Sequence, residues 1–196
     1  MEQNIRFGLE IKKTPKAEAD ANVEEMLDIV GLTKFRNYYP SQLSISMLQR
    51  VAIARAFATK PELLLMDEPY GQLDIDLRFK LEDELIKLWK KTGTTVLFIT
   101  HNIEEAVYLS QKIMVLTNKP TSVKTVLDNP LPLPRDVVSP EFVELRNKVT
   151  DLIKWWSCYN TNRFTQSLFF PREIVLVSRG KQYEGIFLKR SVKYAA

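Results

Sequence analysis

The 196-residue sequence predicts an α/β fold, and two observations carry that prediction. Three short apolar runs, at 63–66, 95–100 and 113–116, lack polar alternation, the pattern of strands buried on both faces of a parallel sheet. Between them apolar residues recur at helical spacing, so strands and helices alternate along the chain.

Thr14-Pro15 opens a helix, with Thr14 as N-cap and Pro15 at the first helical position, and Gly31 closes it. Val23, Met26, Leu27 and Val30 form its buried stripe. A second helix is expected from about Ser46 to Ala58, packed through Val51, Ala54 and Phe57 and stopped by Pro61. The strand Leu63–Met66 then ends abruptly in Asp67-Glu68-Pro69. Leu77, Leu81, Leu85 and Leu88 mark the next helix, which Gly93 ends. Thr95–Thr100 follows as a β-branched and aromatic strand that stops at His101-Asn102. Asn102 and Glu105 have capping-box spacing for a helix to about Ser110, and Ile113–Leu116 is a third strand. Pro130, Pro132 and Pro134 mark an extended crossing. Ser139-Pro140 caps a last helix through Phe142, Leu145, Val149, Leu152 and Trp156. Beyond it, Glu173–Ser178 and Tyr183–Val192 read as the arms of a β-hairpin around 179–182.

No apolar run reaches the roughly 18 residues of a membrane span, and the Met1-Glu2-Gln3-Asn4 start lacks the basic character of a secretory signal. A soluble chain is expected. The single cysteine, Cys158, excludes an internal disulfide framework and any multi-cysteine metal site, which fits a reducing cytoplasm. The net charge of +4 is unevenly placed. Residues 1–156 carry 21 basic and 22 acidic side chains, whereas residues 157–196 carry seven basic against Glu173 and Glu184. A near-neutral body thus precedes a basic tail. That tail holds no recognised nucleic-acid motif, and no nucleic-acid partner is expected.

Chemistry is expected beyond the carboxyl ends of the strands, where open parallel sheets bind ligands. Two strands end there in capable groups, Asp67-Glu68 and His101. Adjacent carboxylates at the end of a buried strand need a cationic partner, and hydrated Mg²⁺ with a nucleotide is the natural one. Asp67 would orient the metal's water and Glu68 an attacking water. Alternatively, Asp67-Glu68 caps the turn after the strand. His101, the only histidine, would supply a donor toward a phosphate or that water. Ser44 precedes a helix whose free amides form an anion site or an ordinary N-cap.

Leu43-Ser44, Gln49-Arg50-Val51-Ala52-Ile53-Ala54-Arg55-Ala56, Leu63–Pro69, Gly71-Gln72-Leu73-Asp74, Thr100-His101 and Glu104-Glu105-Ala106 together resemble the ATP-binding subunit of ABC transporters. Agreement in order and spacing runs through residues 4–156, and Asn4–Leu9 resembles the segment after the family's Q-loop. Pro69-Tyr70-Gly71, Val107-Tyr108-Leu109 and Leu133-Pro134-Arg135-Asp136 look most like nitrate, sulfonate and taurine importers. The resemblance implies a partial P-loop NTPase fold: a helical subdomain at 14–58, the second half of the parallel-sheet core at 59–156, and a tail at 157–196 without family counterpart. It also implies ATP and Mg²⁺ as cofactors, with Asp67 as the Walker B aspartate reaching Mg²⁺ through water. Glu68 would be the general base, His101 the switch histidine, Ser44 part of the signature motif, and Asp74 part of the D-loop. Partners would be transmembrane permease subunits and a second ATPase subunit, with the chain peripheral on the inner face of the cell membrane.

The sequence also departs from that family. It contains no G-x-x-x-x-G-K-[ST], so it has no Walker A lysine. Ile45 and Ser46 stand where the signature has two glycines, and Leu48 replaces a polar residue. β-Branched Ile45 does not readily adopt the backbone geometry open to glycine. A fragment unable to bind ATP alone is therefore the rival to an importer ATPase. With the P-loop strand missing, residues 1–156 are expected to leave an open sheet edge, which the tail either leaves exposed or covers by strand addition.

Overall fold

The computed structural model describes residues 1–71, 73–117, 122–158 and 174–178. Three helices, α1 (Glu2–Ile11), α2 (Lys16–Ile29) and α3 (Ile45–Ala58), pack on one another to form the helical part. Its core is Ile5, Leu9, Val23, Met26, Leu27, Ala54 and Phe57. Helix α1 was not expected, although Ile5 and Leu9 lie four apart and are both buried. Gly8 allows the closest approach: a Cβ there would stand 2.5 Å from Thr59 Cγ2, just past the end of α3. Helix α2 begins one residue later than expected. Pro15 occupies the N-cap position, and no side-chain cap forms, so Thr14 is not the N-cap.

The second part is β1 (Leu63–Asp67), α4 (Ile75–Thr92), β2 (Thr95–Thr100), α5 (Ile103–Leu109), β3 (Lys112–Leu116), β4 (Val123–Asp128), α6 (Pro140–Cys158) and β5 (Ile174–Ser178). Gly93 ends α4 at φ +67°, a conformation that costs glycine no steric clash. Ser139 caps α6, its hydroxyl accepting from the Phe142 amide at 3.3 Å, and Phe142 and Val149 are buried. Strand β4 was not anticipated.

The sheet order is β1-β2-β5-β3-β4. Strands β1 and β2 are parallel, with Asp67 opposite Ile99. Strand β5 is antiparallel to both β2 and β3, so β3 runs the same way as β1 and β2. The sheet is therefore mixed, with β4 also antiparallel to β3. The open-edge expectation resolves toward strand addition. The first arm of the tail enters between β2 and β3, with Ile174 opposite Thr100 and Val115. The second arm, 183–192, lies outside the described residues.

The expected coverage on both faces is incomplete: in β2 Val96 and Phe98 are buried on one face while Leu97 and Ile99 on the other are half-buried, and β1 is more open still. Leu63 and Leu65 are 47% and 65% exposed. Leu63, Leu65 and Asp67 share one face of β1, and that face stays uncovered. Among the described residues no helix is long and apolar enough to cross a membrane.

Candidate functional site

The parallel pairing of β1 with β2 decides where the site forms. Because the two strands run in register, the residues just after each of them emerge at the same end of the sheet. The Glu68 amide extends that ladder by donating to Ile99 O at 2.9 Å. The chain then turns sharply: Glu68 has φ +42°, in the left-handed region that a side chain seldom adopts, and the Gly71 amide closes the turn on Glu68 O at 3.3 Å. A non-glycine residue held this way marks a position fixed by its surroundings. Here the result is a carboxylate aimed across to the next strand.

Glu68 Oε1 lies 2.9 Å from His101 Nδ1, with the two side chains 40% and 41% exposed. An ionised carboxylate only accepts, so the hydrogen of this contact sits on Nδ1. That refines the expected role of the histidine. In a neutral ring the remaining nitrogen, Nε2, is then an acceptor. Donation from His101 toward a phosphate requires either the doubly protonated ring or release of Glu68. Asp67, the last residue of β1, is exposed, and its carboxylate has no hydrogen-bond or ion-pair partner among the described residues.

The His101 turn is built from below. Thr100, 2% exposed, donates through Oγ1 to Glu105 Oε2 at 2.5 Å and accepts from the Asn102 amide at 3.0 Å. Asn102 Oδ1 caps α5 by accepting from the Glu104 and Glu105 amides at 2.8 and 3.3 Å. The expected capping box is thus half formed. Glu105 does not reach back to the Asn102 amide, because Thr100 has taken that amide and Glu105 faces inward to Thr100 and Arg78.

Among the described residues no hydrogen bond or ion pair links Asp74 or Ser44 to the Glu68–His101 pair. Asp74 is the N-cap of α4, accepting from the Leu77 amide at 2.9 Å. Ser44 is the N-cap of α3: its hydroxyl accepts from the Met47 amide at 3.3 Å and lies 2.9 Å from Ser46 Oγ. Ile45 beside it is 69% exposed. Arg50 of α3 pairs with Glu84 of α4 at 2.9 Å, tying the helical part to the sheet part.

Sequence reasoning missed a polar layer beneath the site. Glu82 on α4 is 1% exposed, and neither of its oxygens has a hydrogen-bond partner among the described residues. Burial, reinforced by the charge of Glu105, pushes its pKa up to about 8. Tyr70, fully buried, donates to Leu81 O at 3.3 Å and packs against Phe98. The available signal was spacing: Arg78, Glu82 and Ile86 form a second row beside the leucine stripe.

Residues 1–71 match the family model described as ABC transporter. Comparison with individual proteins carries the similarity beyond residue 71. The chain is 46% identical over 152 residues to an uncharacterized ABC transporter ATP-binding protein of Methanocaldococcus jannaschii, covering 78% of this chain and 57% of that protein. It is 40% identical over 162 residues to the aliphatic sulfonates import ATP-binding protein SsuB of Bacillus cereus, covering 83% and 63%. The SsuB of Bacillus anthracis is 42% identical over 149 residues, covering 76% and 58%. The similarities support an ABC ATPase. The α/β architecture is that of a partial ABC-type P-loop NTPase, and the aligned part spans about 57–63% of the length of these relatives.

Of the three segments that resembled one importer subgroup, Pro69-Tyr70-Gly71 forms the turn after Glu68, whereas 107–109 and 133–136 are joined through Arg135. Arg135, 8% exposed, donates to the carbonyls of Leu131, Val107 and Tyr108, satisfying the carboxyl end of α5. Its burial lowers its pKa to about 10. Tyr108 in turn donates to Asp83 at 2.6 Å, joining α5 to α4.

Proposed function

We propose that this chain is the ATP-binding subunit, or a part of one, of an ABC importer for an anion such as nitrate, an aliphatic sulfonate or taurine, coupling ATP hydrolysis to uptake. The observation that carries this reading is Glu68 at 2.9 Å from His101, at the ends of neighbouring parallel strands and beside Asp67. Similarity to SsuB proteins, whose name specifies aliphatic sulfonates, supports the substrate class. In this reading permease subunits and a second ATPase subunit are the partners, Ser44 and Asp74 face that second subunit, and the assembly lies on the cytoplasmic side of the membrane.

The residues present suit one half of ATP·Mg²⁺. Asp67 is an exposed carboxylate with no partner among the described residues, a hard oxygen donor of the kind Mg²⁺ takes through water. The phosphate half finds no equivalent cradle among the described residues. The strand between β2 and β3 is β5, which runs away from the His101 end, so no strand-to-helix turn leaves it there. Bound ATP·Mg²⁺ supplies the transferable phosphoryl group. The chain's own part is to hold a water at Glu68 and take its proton on that carboxylate, while His101 fixes the carboxylate's orientation.

A second reading, a non-hydrolysing interaction fragment, is favoured by Ser44 capping its own helix and by Ile45 next to it. One experiment separates the two. The chain is joined behind the N-terminal region of the Methanocaldococcus relative, with Ile45→Gly and Ser46→Gly, and ATP binding and turnover are measured. Turnover is expected, and Glu68→Gln should lower it by at least roughly a hundredfold while ATP binding persists. Unaltered turnover in Glu68→Gln would overturn the role of Glu68. Calorimetry on the chain by itself should show no low-micromolar ATP·Mg²⁺ binding, and finding it would remove the fragment reading.

A further inference from the structure

The contacts around His101 close into a ring. Glu68 touches His101; the turn from Glu68 continues through Gly71 and Leu73, whose amides donate to Glu68 O and Tyr70 O at 3.3 and 3.1 Å. Leu73 O then accepts from Arg78 Nη2 at 3.2 Å. Arg78 Nε lies 3.3 Å from Glu105 Oε1, and Glu105 Oε2 accepts from Thr100 Oγ1 at 2.5 Å. Thr100 precedes His101 in the chain. Both acidic members of the ring therefore converge on the same histidine, one directly and one through its neighbour.

Burial is graded along this ring. Glu105 is 4% exposed and Thr100 2%, while Glu68 and His101 face solvent. A threonine hydroxyl that gives its proton to a carboxylate and its lone pair to the Asn102 amide has a fixed χ1, and that fixes the backbone from which His101 projects. Among the described residues the imidazole has one polar contact, to Glu68. Its aim therefore depends on the turn beneath it. The charges of His101 and Glu68 are both felt at Glu105, which agrees with this proximity.

We propose that Glu105 is a positioning residue for His101: by holding Thr100 Oγ1, with Arg78 opposing its charge, it keeps the imidazole Nδ1 on Glu68. This rests on the reading of Glu68 and His101 as the working pair, but its test needs neither nucleotide nor turnover. His101 is the only histidine of the chain, so ¹⁵N-histidine labelling of the full chain gives one imidazole to monitor. The ring ¹⁵N shifts report which nitrogen carries the hydrogen.

The parent chain should show the Nδ1–H form in excess, and Glu68→Ala should reduce that excess roughly fivefold, as for loss of one hydrogen bond. Thr100→Val keeps the β-branched shape of the strand residue and removes only the hydroxyl. It should reproduce most of the Glu68→Ala change with an unaltered circular dichroism spectrum. Glu105→Ala should do the same, and Glu105→Gln, whose amide oxygen still accepts from Thr100, should restore the parent spectrum. The proposal is overturned if Thr100→Val leaves the ratio at the parent value while Glu68→Ala shifts it. It is equally overturned if Glu105→Gln behaves like Glu105→Ala, or if Glu68→Ala itself has no effect. An importer role disproved by the hydrolysis experiment would leave each of these outcomes intact.

Discussion

Glu82 on α4 and Glu105 on α5 are almost equally buried, at 1% and 4% exposure, yet their surroundings compensate a negative charge to very different degrees. Glu105 has a hydroxyl donor in Thr100 at 2.5 Å and a guanidinium in Arg78 at 3.3 Å. Glu82 has no hydrogen-bond partner on either oxygen among the described residues. Burial raises the pKa of both, but Thr100 and Arg78 pull Glu105 back toward the ionised form. For Glu82 the opposing pull of Arg78 is outweighed by burial and by Glu105, and its pKa stands at about 8. Burial disfavours the charge on both carboxylates, and the donors within reach decide how far that effect is offset.

The largest effect should come from breaking the contrast at Glu82. Folded Glu82 keeps its proton up to about pH 8, whereas an ordinary carboxyl releases it near 4.5. The folded state therefore binds more protons across that interval, and stability falls as pH rises through it, levelling off above about 8. The span sets a ceiling of roughly 4–5 kcal/mol on this loss. Glu82→Gln, neutral at every pH, should flatten the profile and be the more stable protein at pH 9. Urea unfolding of both proteins at pH 5, 7 and 9 checks this. Parallel profiles would mean that Glu82 ionises without penalty, and the contrast with Glu105 would vanish.

Removing the cation instead attacks the Glu105 side. Arg78→Met keeps much of the apolar stem and deletes the guanidinium, leaving Glu105 buried with Thr100 alone and freeing Leu73 O. A loss of about 3 kcal/mol is expected at neutral pH, the order found when one partner of a buried ion pair is removed. The loss should shrink as pH falls, because Glu105 then escapes the penalty by taking a proton. Thermal unfolding of the parent and Arg78→Met at pH 7 and pH 5 is the measurement, and a pH-independent loss would assign the effect to packing.

Legibility in the sequence divides along a similar line, between local and distant partners. The β2 run 95–100 and the helix stops at Gly31 and Gly93 depend on neighbours in the chain, and each appears in the structure. The meeting of Asp67, Glu68 and His101 was also legible, because parallel strands deliver their C-terminal neighbours to one end of the sheet. By contrast, the insertion of β5 between β2 and β3 joins residues more than 50 positions apart, and no local pattern specifies its place in the order. The Asn102–Glu105 spacing was sound as a local pattern, yet a buried threonine won the Glu105 carboxylate. Asp74 and Ser44 carry local capping geometry, so spacing could not distinguish a cap from a ligand site. Arg78 and Glu82 drew no expectation from the sequence, because the burial of Glu82 comes from the packing of α4 against its neighbours.

The smallest expected effect tests whether Arg78 belongs to Glu105 or is shared with Glu82. It lowers the pKa of both carboxylates, but it contacts only Glu105, at 3.3 Å, and Glu82 lies one helical turn along from it without a hydrogen bond or ion pair. A double-mutant cycle isolates each pair. Arg78→Met with Glu105→Gln should give a coupling energy of roughly 1–2 kcal/mol at pH 7, within the range for residues in direct contact. Arg78→Met with Glu82→Gln should give under about 0.5 kcal/mol at the same pH, because Glu82 is then mostly protonated and presents little charge to couple. Raising the pH to 9 sharpens the comparison further, since ionised Glu82 should then attract Arg78 and its coupling should grow while that of Glu105 stays level. Equal couplings at pH 7 would show that Arg78 serves the two carboxylates as one shared site, and that partnering in this layer belongs to the cluster instead of to Glu105.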